Sequence, residues 1–531
     1  MKLKKNNCIN IFVLLFLTVF PLFFDNYYIN ITITKYKVFS VLSLSIFFTG
    51  LYYTLSANIE QNRTLKIDSL SSYLRRMSLC DILFLLLLIT AVLSCLMSEW
   101  RLPALSGVCG KYTGLIFMLL TGGLYYGITR HMTLIPYIKY SFPVILSMIS
   151  LMAFFQFCGY DVLGFYKGIA DGTMYIATFG HVDVFSAFLC VYLPVCLYLF
   201  CYTDGRENLL YATGCFMGFL AIFSSNSDSS YIGLGISLAV LLILAVSNTD
   251  RLKKYATLIL LLTSAAVLWK IFPPLFGLVL REQSSITTFF TSAKILCISA
   301  LIGGFLFLLC IFINKQKKNL PKCLPCILTA FFMVLIFLLI ISFIWFSFFD
   351  TKKDLGELEN YLRFNSHWGS DRGYVWKWLI QFFGFSSLLT KLFGAGPDTT
   401  TLILYKYFKV EMSDELGVFY ASAHNEYLNY LVTIGLVGTI LYLAILILSI
   451  IKCFRKRRTN AFFGAVGLAI LAYSCMAAVN ISQPITMPFI YLLIAFANQK
   501  TDSYKRGFCY TTMKHADACT SHQTKFDDII P

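Results

Sequence analysis

The chain has 531 residues, of which 58 % are hydrophobic and only 13 % charged, and it carries a formal charge of +16. A soluble domain carries roughly a quarter charged residues, so the composition excludes an ordinary soluble enzyme. The lysines and arginines sit mainly in short segments between apolar runs, which argues against a nucleic-acid surface and for membrane topology.

Apolar runs predict about fourteen spans, at 9–24, 37–57, 79–97, 113–129, 135–158, 181–202, 209–224, 230–247, 255–272, 294–313, 327–349, 425–451, 461–479 and 484–498. Alternation at period two is absent, which argues against a membrane barrel. A span that closes its own backbone hydrogen bonds in lipid is a helix. The expected fold is therefore all-α: a polytopic transmembrane bundle of about 12–14 spans. The first run follows Met1-Lys2-Leu3-Lys4-Lys5 and lacks a small-residue cleavage site, so it reads as an uncleaved span. The 17 cysteines lie mostly inside apolar runs and read as small buried hydrophobes. Cys323-Leu-Pro-Cys326 has no second pair, so no metal site is expected.

With the N-terminus inside, the inner loops collect most cations, including Arg251 to Lys254, Lys315 to Lys322 and Lys452 to Arg458. The short outer loops hold only Lys35, Lys37, Arg101, Lys111, Lys167, Arg281 and Lys294. This divides the chain into N-terminal spans over 1–349, one large extracytoplasmic loop over 350–424, C-terminal spans over 425–498 and a cytoplasmic tail over 499–531 that is expected to be disordered. Within the large loop, 371–389 is amphipathic and rich in Trp and Phe, suited to lying along the membrane interface with its aromatic face down.

The polar residues of the outer face are Arg101, Lys111, Gln156, Asp161, His181, Asp183, the run from Ser224 to Ser230, Arg372, His424, Asn425 and Glu426. Charge retained inside a membrane protein usually has a role. Several segments in this order resemble the O-antigen ligase and O-antigen polymerase superfamily of bacterial membrane glycosyltransferases. They are PALSGVCGKYTGL (103–115), Gln156 to Asp161, ATFGHVDVFSAFL (177–189), SSNSDSSYIGLG (224–235), DRGYVWKW (371–378), LFGAGPD (392–398) and AHNEYLNYLVTIGLVG (423–438). The most specific set joins Arg372 and Trp376, Gly394 and Gly396, and His424-Asn425 with Tyr427, Leu428, Gly435 and Gly438.

The resemblance implies metal-independent, inverting transfer of a polyprenyl-diphosphate-linked glycan to a glycan or lipid-glycan acceptor hydroxyl. It places the protein in the bacterial inner membrane with its active face extracytoplasmic. No cofactor and no nucleic acid are implied, and membrane lipids are the surroundings. On this reading Arg372 and Lys111 hold the diphosphate, His424 accepts the acceptor's proton, and Asn425, Glu426 and Trp376 shape the site. The chain departs from the family where an Asn-rich turn is Gly180-His181-Val182-Asp183, and where a Ser-Arg turn is Ser227-Asp228. Plainer readings stand beside these: His424 as a helix cap, Arg372 as a headgroup anchor, Lys111 as a snorkelling lysine, the tryptophans as an interfacial belt, and His181 and His367 as structural. A flippase for lipid-linked oligosaccharide, or another transporter, is the alternative function. It fits less well, because charge is scarce in mid-span and the chain halves show no repeat.

Overall fold

The computed structural model describes residues 7–60, 77–161, 163–167, 174–276, 283–318, 320–481 and 483–499. The N-terminal lysines, the basic loop at 63–76, Arg281 and the tail beyond Gln499 lie outside them. The chain is an all-α polytopic bundle.

In chain order the helices are α1 (Asn7–Leu22), α2 (Ile31–Glu60), α3 (Leu79–Met97), α4 (Arg101–Ser106), α5 (Leu115–His131), α6 (Pro136–Phe157), α7 (Val182–Tyr202), α8 (Glu207–Ser225), α9 (Asp228–Ala245), α10 (Thr249–Leu275), α11 (Ser285–Phe290), α12 (Ala293–Lys315) and α13 (Leu324–Phe348). There follow α14 (Glu359–Leu362), α15 (Trp368–Phe385), α16 (Leu388–Phe393), α17 (Thr400–Tyr407), α18 (Lys409–Leu416), α19 (Glu426–Thr433), α20 (Gly435–Lys456), α21 (Ala461–Met476) and α22 (Met487–Ala497). Among the described residues, 11 helices are long and apolar enough to cross a membrane. The remaining expected spans coincide with the shorter α1, α5 and α22.

Helix α7 is the axis. All of its most apolar stretch is buried, between α21, α8 and α9. Helix α13 is its opposite: it is the most apolar helix and buries no residue at all. An all-round apolar helix that touches protein only in places is otherwise solvated by lipid tails.

Two expectations about the spans need correction. Lys35 is not in an outer loop, because α2 begins at Ile31. Its side chain is fully buried, and Nζ donates to the carbonyls of Phe20 and Pro21 at 2.7 Å each. The side chain thereby ties off acceptors that the end of α1 leaves open. The expected single span at 425–451 is broken into α19 and α20 at Ile434–Gly435, where Gly435 takes φ +72°. The acceptors freed around the break are used by the glycine turn after α16. Ala395 N–H donates to Val432 O at 2.9 Å and Gly396 N–H to Thr433 O at 3.0 Å. The Ser94 hydroxyl adds a third bond, to Thr433 O at 2.7 Å. A Cβ on Gly394 would lie 2.2 Å from Thr433 O, and one on Gly435 2.3 Å from Leu392 O, so the two backbones touch where only glycine fits.

The segment between α13 and α19 has a hydrophobic core of its own. Val375, Trp378, Leu379 and Phe382 of α15 pack on Ile403, Leu404, Phe408 and Met412, with Leu428 and Val432 of α19 closing it. The aromatic side of α15 thus faces this core rather than a membrane surface. Arg363, nearly buried, ties the subdomain to α13: Nε donates to Phe346 O at 3.2 Å and Nη2 to Asp350 O at 3.3 Å. A guanidinium at a helix C-terminus satisfies carbonyls that have no partner within the helix.

Candidate functional site

Four stretches far apart in the sequence meet at one end of the bundle. At the opposite end, basic side chains close the helices, as where Lys452 Nζ donates to Asn498 Oδ1 at 3.0 Å.

The centre is Asp183, in the first turn of α7. Its Oδ2 lies 3.0 Å from Arg372 Nη2, 3.8 Å from His424 Nδ1 and 3.9 Å from His181 Nδ1. Its Oδ1 accepts from the Ser227 hydroxyl at 2.8 Å. Arg372 also donates through Nη1 to Val479 O at 2.7 Å. The backbone before Arg372 makes a left-handed turn, with φ of +63°, +59° and +65° at Gly369, Ser370 and Asp371. Two non-glycine residues in that region cost roughly 1–3 kcal/mol each, which the surrounding bonds must offset. Those bonds include Tyr374 N–H to Ser366 O at 2.8 Å and the Tyr420 hydroxyl to Ser370 O at 3.0 Å.

His424 also has left-handed backbone, φ +46°, and its side chain is 20 % exposed. Nδ1 makes no hydrogen bond, and the Asp183 carboxylate lies 3.8 Å from it. Burial, with Arg372 beside it, drives its pKa down to about 3 against the opposing pull of Asp183. The ring is neutral at physiological pH. Asn425 is the helix cap: its Oδ1 accepts from Leu428 N–H at 2.9 Å. Glu426 is buried, and its carboxylate accepts from the hydroxyls of Tyr442 and Tyr473, the latter at 2.8 Å. Trp376 Nε1–H donates to Ala423 O at 2.8 Å and its ring lies on Trp368 and Phe364, so it braces the His424 segment against the Arg372 segment.

Lys111 sits half-buried in the turn between α4 and α5. Asp398, in the glycine turn, clamps that turn: Oδ2 accepts from Val108 N–H at 2.8 Å and Thr113 N–H at 3.0 Å. Burial lowers the Lys111 pKa, and the nearby Asp398 resists the shift. Burial likewise raises Asp398 to about 6, despite the two N–H donors. Lys111 also acts electrostatically on His181 and His424, which puts it within range of the Asp183 cluster.

The structure thus brings Arg372, His424 and Lys111 to one place. Sequence reasoning assigned nothing to Asp183, Asp398 or Asn480. Asn480 is buried, with Nδ2 donating to Asp183 O at 2.8 Å and Ser229 Oγ at 3.2 Å. The signals for Asp183 were its place among the outer-face polar residues and in the turn where the chain departs from the family it resembles. At the other departure, Asp228 Oδ2 accepts from the Tyr361 hydroxyl at 3.2 Å. Among the described residues, no group of three or more His, Cys, Asp or Glu is arranged to hold a metal ion.

A polytopic helical bundle with a cation–histidine–carboxylate cluster at one end of its helices defines a class of membrane protein whose polar groups gather outside its apolar core. Residues 284–443 match the family model described as O-antigen ligase, which bears out the resemblance read from the motifs. The matched segment includes Arg372, Asp398 and His424, while Lys111, His181 and Asp183 lie outside it. No curated protein matches the chain.

Proposed function

We propose that the protein is a membrane glycosyltransferase of the O-antigen ligase and polymerase type. It takes a glycan from a polyprenyl diphosphate and joins it to an acceptor hydroxyl at the extracytoplasmic face of the inner membrane. The observation that carries this reading is the convergence of Arg372 and His424, from separate segments, on one carboxylate oxygen of Asp183.

The chemistry follows from the parts. The acceptor oxygen attacks the anomeric carbon from the face opposite the diphosphate, so the linkage inverts. The bond to the diphosphate breaks, and the lipid diphosphate leaves with the electron pair. His424 takes the acceptor's proton, and Arg372 and Lys111 balance the charge growing on the leaving group, which needs no metal ion. Arg372 presents a planar fork and Lys111 a point charge. The neighbouring guanidinium is one reason His424 is a weak base before substrate arrives. An anionic diphosphate over Arg372 offsets that charge and raises the basicity of His424 when it is needed.

The test is substitution in a strain whose surface glycan depends on this protein. His424→Ala is expected to lower transfer by roughly 10²–10⁴-fold, the usual worth of a positioned general base. Arg372→Ala should abolish detectable chain growth or attachment. Normal glycan length and attachment, with both variants present in the membrane, would overturn the proposal.

A further inference from the structure

We propose that His181 donates Nε2–H to a diphosphate oxygen, as a neutral third contact beside Arg372 and Lys111. This rests on the diphosphate-site reading above and adds to it a residue which that reading leaves structural.

The tautomer is set by the backbone. His181 is the N-cap of α7, and its Nδ1 accepts from Asp183 N–H at 3.2 Å. A neutral imidazole that accepts at Nδ1 carries its proton on Nε2. That second nitrogen has no partner among the described residues, and the side chain is 32 % exposed. Burial keeps the ring's pKa below its ordinary value; Asp183 opposes this, and Lys111 and Arg372 assist it. The residue is also held in place. Tyr175–Ile176 and Gly180–His181 pair as a two-stranded clip, and Val182 N–H donates to Met174 O at 3.0 Å.

Charge balance explains the need for such a donor. Arg372 already shares its charge with Asp183, and the Asp398 carboxylate lies near enough to Lys111 to act on it. The second departure from the family places Asp228 where a cation is expected. Part of the cationic charge is therefore already compensated before a diphosphate arrives. A preorganised N–H adds attraction without adding a charge that the apolar surroundings would penalise.

Two substitutions separate the donor from the cap. His181→Asn places its side-chain oxygen where Nδ1 accepts, so it keeps the cap and loses the donor. His181→Gln places its amide nitrogen near Nε2, so it keeps the donor and loses the cap. Binding of inorganic diphosphate to the detergent-purified full chain is measured by calorimetry. His181→Asn is expected to weaken it about ten- to hundredfold, the worth of a hydrogen bond to a charged group. His181→Gln should stay within about threefold of wild type while its thermal midpoint falls. Wild-type affinity in His181→Asn overturns the inference, and so does equal weakness in both variants. Arg372→Ala runs in parallel. If it loses diphosphate while His181→Asn does not, the inference about His181 falls alone. If it binds diphosphate like wild type, the diphosphate site itself falls.

Discussion

At Asp183 one carboxylate oxygen has a guanidinium and two imidazoles within 4 Å, and each arrives on a different piece of backbone. His424 and Arg372 were legible in the sequence because each sits inside a recognisable run of residues. Their common partner was not, because only the packing of the ends of α7, α9 and α21 brings Asp183 and Asn480 to them. Asn425 turned out to be the cap that was first weighed for its neighbour. The neutral state of His424 has a consequence for stability against pH. Its folded pKa is depressed to about 3, below the ordinary unfolded value near 6.5. The unfolded chain therefore binds a proton as pH falls through about 6.5, and the folded chain does not until about 3, so stability is lost across that window. The thermal midpoint of the wild type in detergent should drop further between about pH 7.5 and pH 4.5 than that of His424→Gln, which has no proton to gain there. Equal drops in the two would show that the buried ring does not contribute.

The break between α19 and α20 is the feature of greatest consequence among the elements. Hydropathy reports how long a run is apolar and says nothing of whether its helix is continuous, so 425–451 read as one span. The glycines were visible, Gly394 and Gly396 as members of the most specific motif set. What was hidden is that their turn completes the hydrogen bonding of the broken helix and carries Asp398 to the Lys111 turn. One short element therefore fixes both the start of α20 and the position of a cation. Gly435→Ala puts a side chain at φ +72° and a Cβ against Leu392 O. It should cost at least about 2 kcal/mol, read as a lower thermal midpoint and less protein in the membrane. Gly235→Ala, inside α9 with open space around it, is the control and should be close to neutral or stabilising. A Gly435→Ala protein as stable as this control would mean that the backbone contact is not tight.

At the scale of the whole molecule the bundle was the most legible part, since apolar runs of the right length leave helices as the economical answer. The segment from 350 to 424 was legible as a unit by length and not in its interior. Its tryptophans suggested an interface, whereas Trp378 packs inside a separate core with Phe408 and Met412. That separation predicts separable unfolding. Leu379→Ala, at a fully buried position, should cost about 2–5 kcal/mol. The loss should appear as new protease cleavage between 350 and 424, with the spans still resistant; cleavage spread over the whole chain would mean that the two cores are one cooperative unit. The subdomain is reached through α13, the helix that buries nothing. At 25 residues α13 rises about 37 Å, against a hydrocarbon layer of about 30 Å. A rod longer than its solvent is deep leans over, and it leans more as the layer thins. With Arg363 fastening the subdomain to its end, a change of membrane thickness that tilts α13 is expected to shift the approach to the site with it.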